Sequence, residues 1–343
     1  MNKFSLTDFR NSTLLSETKI ISRWGGKYLS PKVSFICTAY NHEKFIEDTI
    51  RGFLLQETDF PFEVLIHDDA STDETATIIS HYAQLYPQII RATIQTENQF
   101  SRDRNYPFDC MIEKTRGKYI AICEGDDFWF YKNKISEQVN IFENNSKVTL
   151  VYSQAYIYLV AENKVCSGLV GKAMTKDAIY SRNRIPTLTA MFEKKALIGF
   201  SDYVGGNQKK WIQSDYQLWL WLNMQGEVFF YDKITSVYRV LTNSASRPKN
   251  IQAQYNFRKS VLSTSTYFAK RNCNASTLRQ VMLKNHFFLY MWCLKRNLPQ
   301  AQLHKKKILE LFSKRKALGV KIMLSFLIEK MLVPTYYKLS RRK

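Results

Sequence analysis

Tyr119-Ile120-Ala121-Ile122-Cys123-Glu124-Gly125-Asp126-Asp127-Phe128-Trp129 places an acidic tetrapeptide between a short apolar run and two aromatic residues. The run has the length and composition of a buried strand, so Glu124, Asp126 and Asp127 stand at its exit. Carboxylates crowded there repel one another. A shared divalent, oxygen-seeking cation such as Mg²⁺ or Mn²⁺ relieves that repulsion and would in turn bind a diphosphate. The competing reading is a plain acidic bend, a position that Asp favours.

Outward from this stretch the pattern is strand, then helix, repeated. Val33 to Cys37 is an apolar run ended by Thr38-Ala39-Tyr40-Asn41, and Glu43 to Gln56 follows with apolar residues at a helical period. A second strand, Phe62 to Ile66, ends in His67-Asp68-Asp69. Ser71 or Thr72 then offers a cap for a helix that runs towards Pro87. Ile89 to Ile94 and Lys118 to Cys123 read as the third and fourth strands. Strands alternating with helices predict a parallel-type α/β sheet, whose ligands sit at the carboxyl ends of the strands. Thr38 to Asn41, Asp68-Asp69 and Glu124 to Asp127 all fall at such ends.

An ionised Asp69 at a strand end can accept hydrogen bonds from a ribose hydroxyl or a uracil N–H. Asp126 and Asp127 would hold a metal bridging two phosphates and offset the charge of a departing nucleoside diphosphate. There is no G-x-x-x-x-G-K-[ST] loop and no G-x-G-x-x-G fingerprint, which removes the main support for kinase-like and NAD-dependent readings.

The stretches Val33 to Asn41, Glu63 to Thr75 and Gly117 to Trp129 together resemble, in order and spacing, three successive signatures of the family 2 glycosyltransferases of GT-A fold. The resemblance covers about residues 32–245. It implies a Rossmann-like GT-A domain with a mixed, mainly parallel sheet, a nucleoside diphosphate sugar donor with UDP favoured, a Mg²⁺ or Mn²⁺ cofactor, and inversion at the anomeric carbon. Carried over by position, Thr38, Tyr40, Asn41, Asp69 and Asp126 contact the nucleotide, and Asp126 and Asp127 hold the metal. Glu124 replaces a more usual aspartate. Asp68 is either a further nucleotide contact or a cap. Asp215, in Trp211 to Leu220, resembles the catalytic base of an inverting transfer, which takes the proton of the attacking hydroxyl; alternatively it caps the helix that starts there. Trp211, Trp219 and Trp221 offer stacking faces or core. Val237-Tyr238-Arg239 matches a Tyr-Arg pattern near the diphosphate, although Leu241 stands where many members carry histidine. Thr187 and Thr189 are candidates for the acceptor side.

The chain carries a net +20, and Lys249 to Lys343 holds 21 Lys/Arg against Glu310 and Glu329, a net +19. Charge and the polar segment Asn243 to Asn250 suggest an amino-terminal extension over 1–30, a catalytic domain over 31–248 and a basic helical region over 249–343. In the last, Lys305 to Lys307 and Lys314 to Lys316 alternate with apolar stripes, including Ile322 to Ile328. That composition suits a helix lying on an anionic membrane surface, or a helical hairpin with a solvated basic face. A lipid-linked glycan acceptor fits the first. No nucleic-acid-binding motif is present. The six scattered cysteines read as reduced thiols, and no signal peptide is expected at Met1 to Thr18, so a cytosolic enzyme, peripheral at the inner face of the membrane, is the expectation.

Overall fold

The structure is a computed structural model that describes residues 4–25, 30–241 and 250–312. The chain divides into two compact units, Met1–Val261 and Leu262–Lys343. The first begins with two short helices, α1 (Leu6–Asn11) and α2 (Glu17–Ser22), whose amino ends are capped by the Ser5 and Ser16 hydroxyls. The α/β alternation follows: β1 (Val33–Ala39), α3 (Ile46–Leu54), β2 (Phe62–Asp68), α4 (Thr75–Leu85), β3 (Ile90–Ile94), α5 (Tyr106–Lys114) and β4 (Tyr119–Ile122). β1, β2 and β4 are buried along both faces, apart from half-buried Thr38 in β1, which is why they read as continuous apolar runs.

The second half adds β5 (Phe128–Trp129), α6 (Lys134–Asn144), β6 (Val148–Leu159), β7 (Lys164–Val170), β8 (Met191–Glu193), α7 (Phe200–Val204), α8 (Ser214–Gln225) and β9 (Glu227–Val240). The strands form a mixed sheet in the order β3-β2-β1-β4-β8-β6-β9-β5, with β7 paired to β6. β1 lies between β2 and β4 in parallel register, Val33 opposite Phe62 on one side and Tyr119 on the other. Their carboxyl ends therefore finish at one edge. The core packs Phe35, Phe53, Phe62 and Trp129 under this sheet.

Element ends differ from the sequence reading at one informative place. α4 starts at Thr75 after Glu74, without a side-chain cap, rather than at Ser71 or Thr72. The Ser71 and Thr72 hydroxyls are recruited elsewhere, to Asp68 and Asn41.

In the second unit, α9 (Ile251–Asn272) continues across the boundary and is followed by α10 (Ala275–Leu294), capped by Asn274, and α11 (Gln300–Phe312). Val281, Leu283, Leu289, Trp292, Ala301 and Ile308 are buried there. Lys314 to Lys316 and Ile322 to Ile328 lie outside the described residues. All six cysteines are free. Among the described residues no helix is long and apolar enough to cross a membrane.

Candidate active site

The acidic loop after β4 is held by its backbone. Cys123 N–H donates to the Ile36 carbonyl (3.1 Å), Gly125 N–H to the Thr38 carbonyl (2.9 Å), and Asp127 N–H to the Glu124 carbonyl (3.1 Å). From α3, the Thr49 hydroxyl reaches the carbonyls of Asp127 (2.6 Å) and Gly125 (3.1 Å). Gly125 is required by space: a Cβ there would lie 2.9 Å from His42 Nδ1 and 3.1 Å from both Ala39 Cβ and Ile46 Cδ1.

The carboxylates then part company. Asp126 is half-buried, with no hydrogen-bond partner for its side chain among the described residues. Asp127 is only 3% exposed, and its Oδ1 accepts the Arg239 backbone N–H (2.7 Å). Burial, followed by the charges of Asp126 and Glu124, holds Asp127 well above the usual carboxylate range. Asp127 thus faces inward, while Asp126, its expected partner in holding the metal, does not. The carboxylates left near the rim are Asp126 and Glu124. Burial and then the Asp126 charge push Glu124 up to about 8.

Arg239 is also turned inward. Its Nη1 donates to the Asp126 carbonyl (2.9 Å), its Nη2 to Asp48, and its guanidinium lies over Phe128. It supports the loop from behind rather than reaching a phosphate. Burial draws its pKa down from the ordinary value, against the opposing pull of Asp48.

Among the described residues no three His, Cys, Asp or Glu are grouped to hold a metal on their own. Hard cations such as Mg²⁺ are commonly held by one or two carboxylates, with substrate phosphates and water completing the shell. Asp126 and Glu124, an all-oxygen pair close enough to perturb each other, fit that requirement.

The neighbouring loops are laced together. Asn41 adopts a left-handed φ of 55°; its N–H donates to Ser71 Oγ (2.9 Å), and its Oδ1 accepts Thr72 N–H (2.8 Å). Asp68 is fully buried and accepts the Ser71 N–H (3.0 Å) and hydroxyl (2.5 Å). Asp68 therefore closes the turn before α4 and caps no helix. Ala70, at φ 62°, holds a conformation that costs a non-glycine residue about 1–3 kcal/mol, a strain supported by this lacing. Asp69 is 4% exposed, and its two oxygens accept the backbone N–H groups of Gln99 (2.8 Å) and Phe100 (3.0 Å). Its carboxylate thus anchors the following loop, with one N–H on each oxygen. Tyr40 projects at 46% exposure from the same edge, and Thr38 is half-buried behind it. In that loop Arg102 pairs with Glu97 (2.6 Å) and Arg104 lies over Phe100 (5.8 Å).

Asp215 stands in the first turn of α8, where its Oδ1 accepts the Tyr216 N–H (2.7 Å) and its Oδ2 the Thr187 hydroxyl (3.1 Å). Glu124 lies close enough to this pair to feel the Thr187 hydroxyl, which favours its ionised form, and the Asp215 charge, which opposes it. Burial raises Asp215 from its ordinary value, and the Tyr216 and Thr187 bonds oppose that. Trp211, Trp219 and Trp221 are all buried, so none presents a free face for stacking. Trp221 Nε1 donates to the Ala196 carbonyl (2.7 Å). Thr187 was read in the sequence only as an acceptor-side candidate, and nothing there signalled its link to Asp215 across 28 residues.

An acidic loop at the carboxyl edge of a strand–helix sheet, beside laced loops from β1 and β2, is the arrangement of a GT-A-type fold. Residues 34–165 match the model of glycosyl transferase family 2. The chain is 33% identical over 166 residues to the uncharacterised protein Rv1520 of Mycobacterium tuberculosis, 48% of this chain and 47% of that one. The match thus spans about half the length of that relative. It is 28% identical over 235 residues, 67% of this chain and 86% of the relative, to the Escherichia coli UDP-Glc:alpha-D-GlcNAc-diphosphoundecaprenol beta-1,3-glucosyltransferase WfaP. The mannosyltransferase PcManGT from Pyrobaculum calidifontis, solved with GDP-Man and Mn²⁺, shares the fold at a TM-score of 0.56. That alignment has 16% identity and covers 97% of this chain and 88% of that one.

Proposed function

We propose that this chain is an inverting, metal-dependent glycosyltransferase that moves one sugar from a nucleoside diphosphate donor, UDP favoured, to a hydroxyl of a lipid-linked cell-envelope glycan. The observation that carries the reading is the nearness of Asp215, held by Thr187, to Glu124, whose carboxyl feels the Asp215 charge; it brings the candidate base beside the acidic loop. Asp215 takes the acceptor hydroxyl's proton as that oxygen attacks the anomeric carbon from the face opposite the diphosphate. Thr187 orients Asp215 by its hydrogen bond. Tyr40 offers an exposed ring to the base, and Asn41, Asp68 and Asp69 hold the two loops that frame the nucleotide. Asp126, with Glu124, would hold Mg²⁺ or Mn²⁺, which when bound supplies positive charge to the departing diphosphate. WfaP, by its name, uses UDP-Glc and a diphosphoundecaprenol-linked acceptor, which supports the donor and acceptor classes proposed, and PcManGT was solved with GDP-Man and Mn²⁺, which supports a nucleoside diphosphate sugar with a metal. Exposed Leu303, Leu309, Lys305 and Lys306 on α11 suit contact with an anionic membrane, which would keep the enzyme at the inner face of the plasma membrane.

Calorimetric titration with UDP, dTDP and GDP, with and without Mn²⁺, tests the donor site. Mn²⁺-dependent binding of one nucleotide, lost in Asp126→Ala, is expected. Asp215→Asn should keep that affinity and lose on the order of 10²–10⁴ in turnover. Full turnover in Asp215→Asn, or no nucleotide binding at all, would overturn the reading.

A further inference from the structure

We propose that Arg10, in the amino-terminal segment outside the family-matched residues, is a positioning residue for the acidic loop, acting through Asp48 and Arg239. Arg10 grips Asp48 in α3 with two parallel bonds, Nε to Oδ1 (2.9 Å) and Nη2 to Oδ2 (2.7 Å). The Asp48 side chain is 5% exposed, and Arg239 Nη2 donates to the same Oδ2. With both Asp48 oxygens satisfied, the second guanidinium nitrogen of Arg239 remains on the Asp126 carbonyl, while its backbone N–H holds Asp127. Phe9, the residue before Arg10, packs on Phe128, the residue after Asp127, at 4.6 Å between ring centroids. The segment therefore meets the loop by charge and by contact.

Removing Arg10 leaves Asp48 Oδ1 without a donor inside low dielectric. A buried carboxylate draws the nearest cation into a two-pronged pairing, and that cation is Arg239. Arg239 Nη1 then leaves the Asp126 carbonyl, and the peptide carrying the candidate metal ligand loses its rear support. The inference rests on the donor-site reading of the loop, so its test needs a readout that does not involve catalysis.

Hydrogen exchange of the Gly125 to Trp129 amides supplies it. Arg10→Gln should speed their exchange about tenfold, and weaken Mn²⁺-dependent nucleotide binding by a similar factor. Arg51→Ala is the control: it deletes the bonds from Arg51 to the Arg10 carbonyl (2.7 Å) and the Ser12 carbonyl (2.5 Å), anchoring the same segment without touching Asp48. Its loop exchange should stay within about twofold of wild type. Unchanged exchange in Arg10→Gln, or an equal increase in Arg51→Ala, overturns the proposal. Faster exchange in Arg10→Gln in a protein whose wild type binds no nucleotide upholds the positioning role and sinks the donor-site reading instead. Should Arg10→Gln fail to fold, Arg10→Lys carries the test. It retains the charge but not the fork, so its loop should exchange about threefold faster than wild type, and an equal rate overturns the idea.

Discussion

Three carboxyl groups within one small region, Glu124, Asp126 and Asp215, cannot all be charged without an opposing charge or a shared proton. Thr187 eases that crowding at one of them. Its hydroxyl stabilises the ionised form of Asp215, so Thr187→Val should raise the Asp215 pKa. The acid limb of a kcat/KM profile would then move to higher pH by about 0.5–1 unit, with little change at the alkaline end. A limb that does not move would separate Asp215 from the base role. Glu124 makes a different prediction. It keeps its proton up to about 8 when folded but loses it near 4.5 when unfolded, so the folded state binds more protons between those values. Stability is then fully present below about 4.5 and falls as pH rises through 8. In the absence of divalent cation, the melting temperature should decline across that window, and Glu124→Gln should flatten the decline. An identical slope in both proteins would refute the assignment. The places of Asp126, Asp215 and Tyr40 at the ends of a strand or helix were legible in the sequence, because such positions are encoded locally. Asp48 was not, and Arg239 was read only as part of a Tyr-Arg pattern near the diphosphate, since their contact joins residues 191 apart in sequence and only the folded sheet supplies it.

At the level of elements, the strand–helix alternation was read directly because β1, β2 and β4 are buried on both faces and so are written in apolar residues. β6 and β9 escaped the reading. β9 is mostly half-exposed, and its parallel pairing with β6 is broken by register shifts, so neither a continuous apolar run nor a clean period of two marks them. The start of α4 was set wrongly for a related reason, because loop-to-loop contacts took the hydroxyls that a local rule assigns to a cap. The join between α3 and the acidic loop rests on Gly125, and Gly125→Ala tests it. The new methyl would sit 2.9 Å from His42 Nδ1, and overpacking of this kind costs about 1–3 kcal/mol. A melting temperature lowered by several degrees is expected, together with loss of Mn²⁺-dependent nucleotide affinity as the loop shifts. Wild-type affinity in this variant would mean that the loop does not form the donor site.

On the scale of the whole molecule, charge is the organising feature. Residues 1–248 are nearly neutral, while 249–343 hold a net +19, far more than is needed to keep a helical region soluble. Within the described part, α11 buries His304 and Ile308 while leaving Leu303, Lys305, Lys306, Lys307 and Leu309 exposed. Leucines beside lysines on a solvent-facing surface have a use at a headgroup layer, where the basic groups meet anionic lipid and the apolar ones enter the acyl boundary. Each lysine near such a surface contributes about 1 kcal/mol, so Lys305→Gln with Lys306→Gln should weaken binding to vesicles containing phosphatidylglycerol about 30-fold. These side chains are exposed, so the pair should leave the melting temperature unchanged. Leu303→Gln with Leu309→Gln should weaken the same binding in a manner insensitive to salt, whereas the lysine contribution should fade as salt rises. Co-sedimentation with phosphatidylglycerol and with purely zwitterionic vesicles reads both. If neither double variant alters sedimentation, the exposed face of α11 has no part in membrane contact, and a soluble acceptor becomes the better account of the enzyme's substrate.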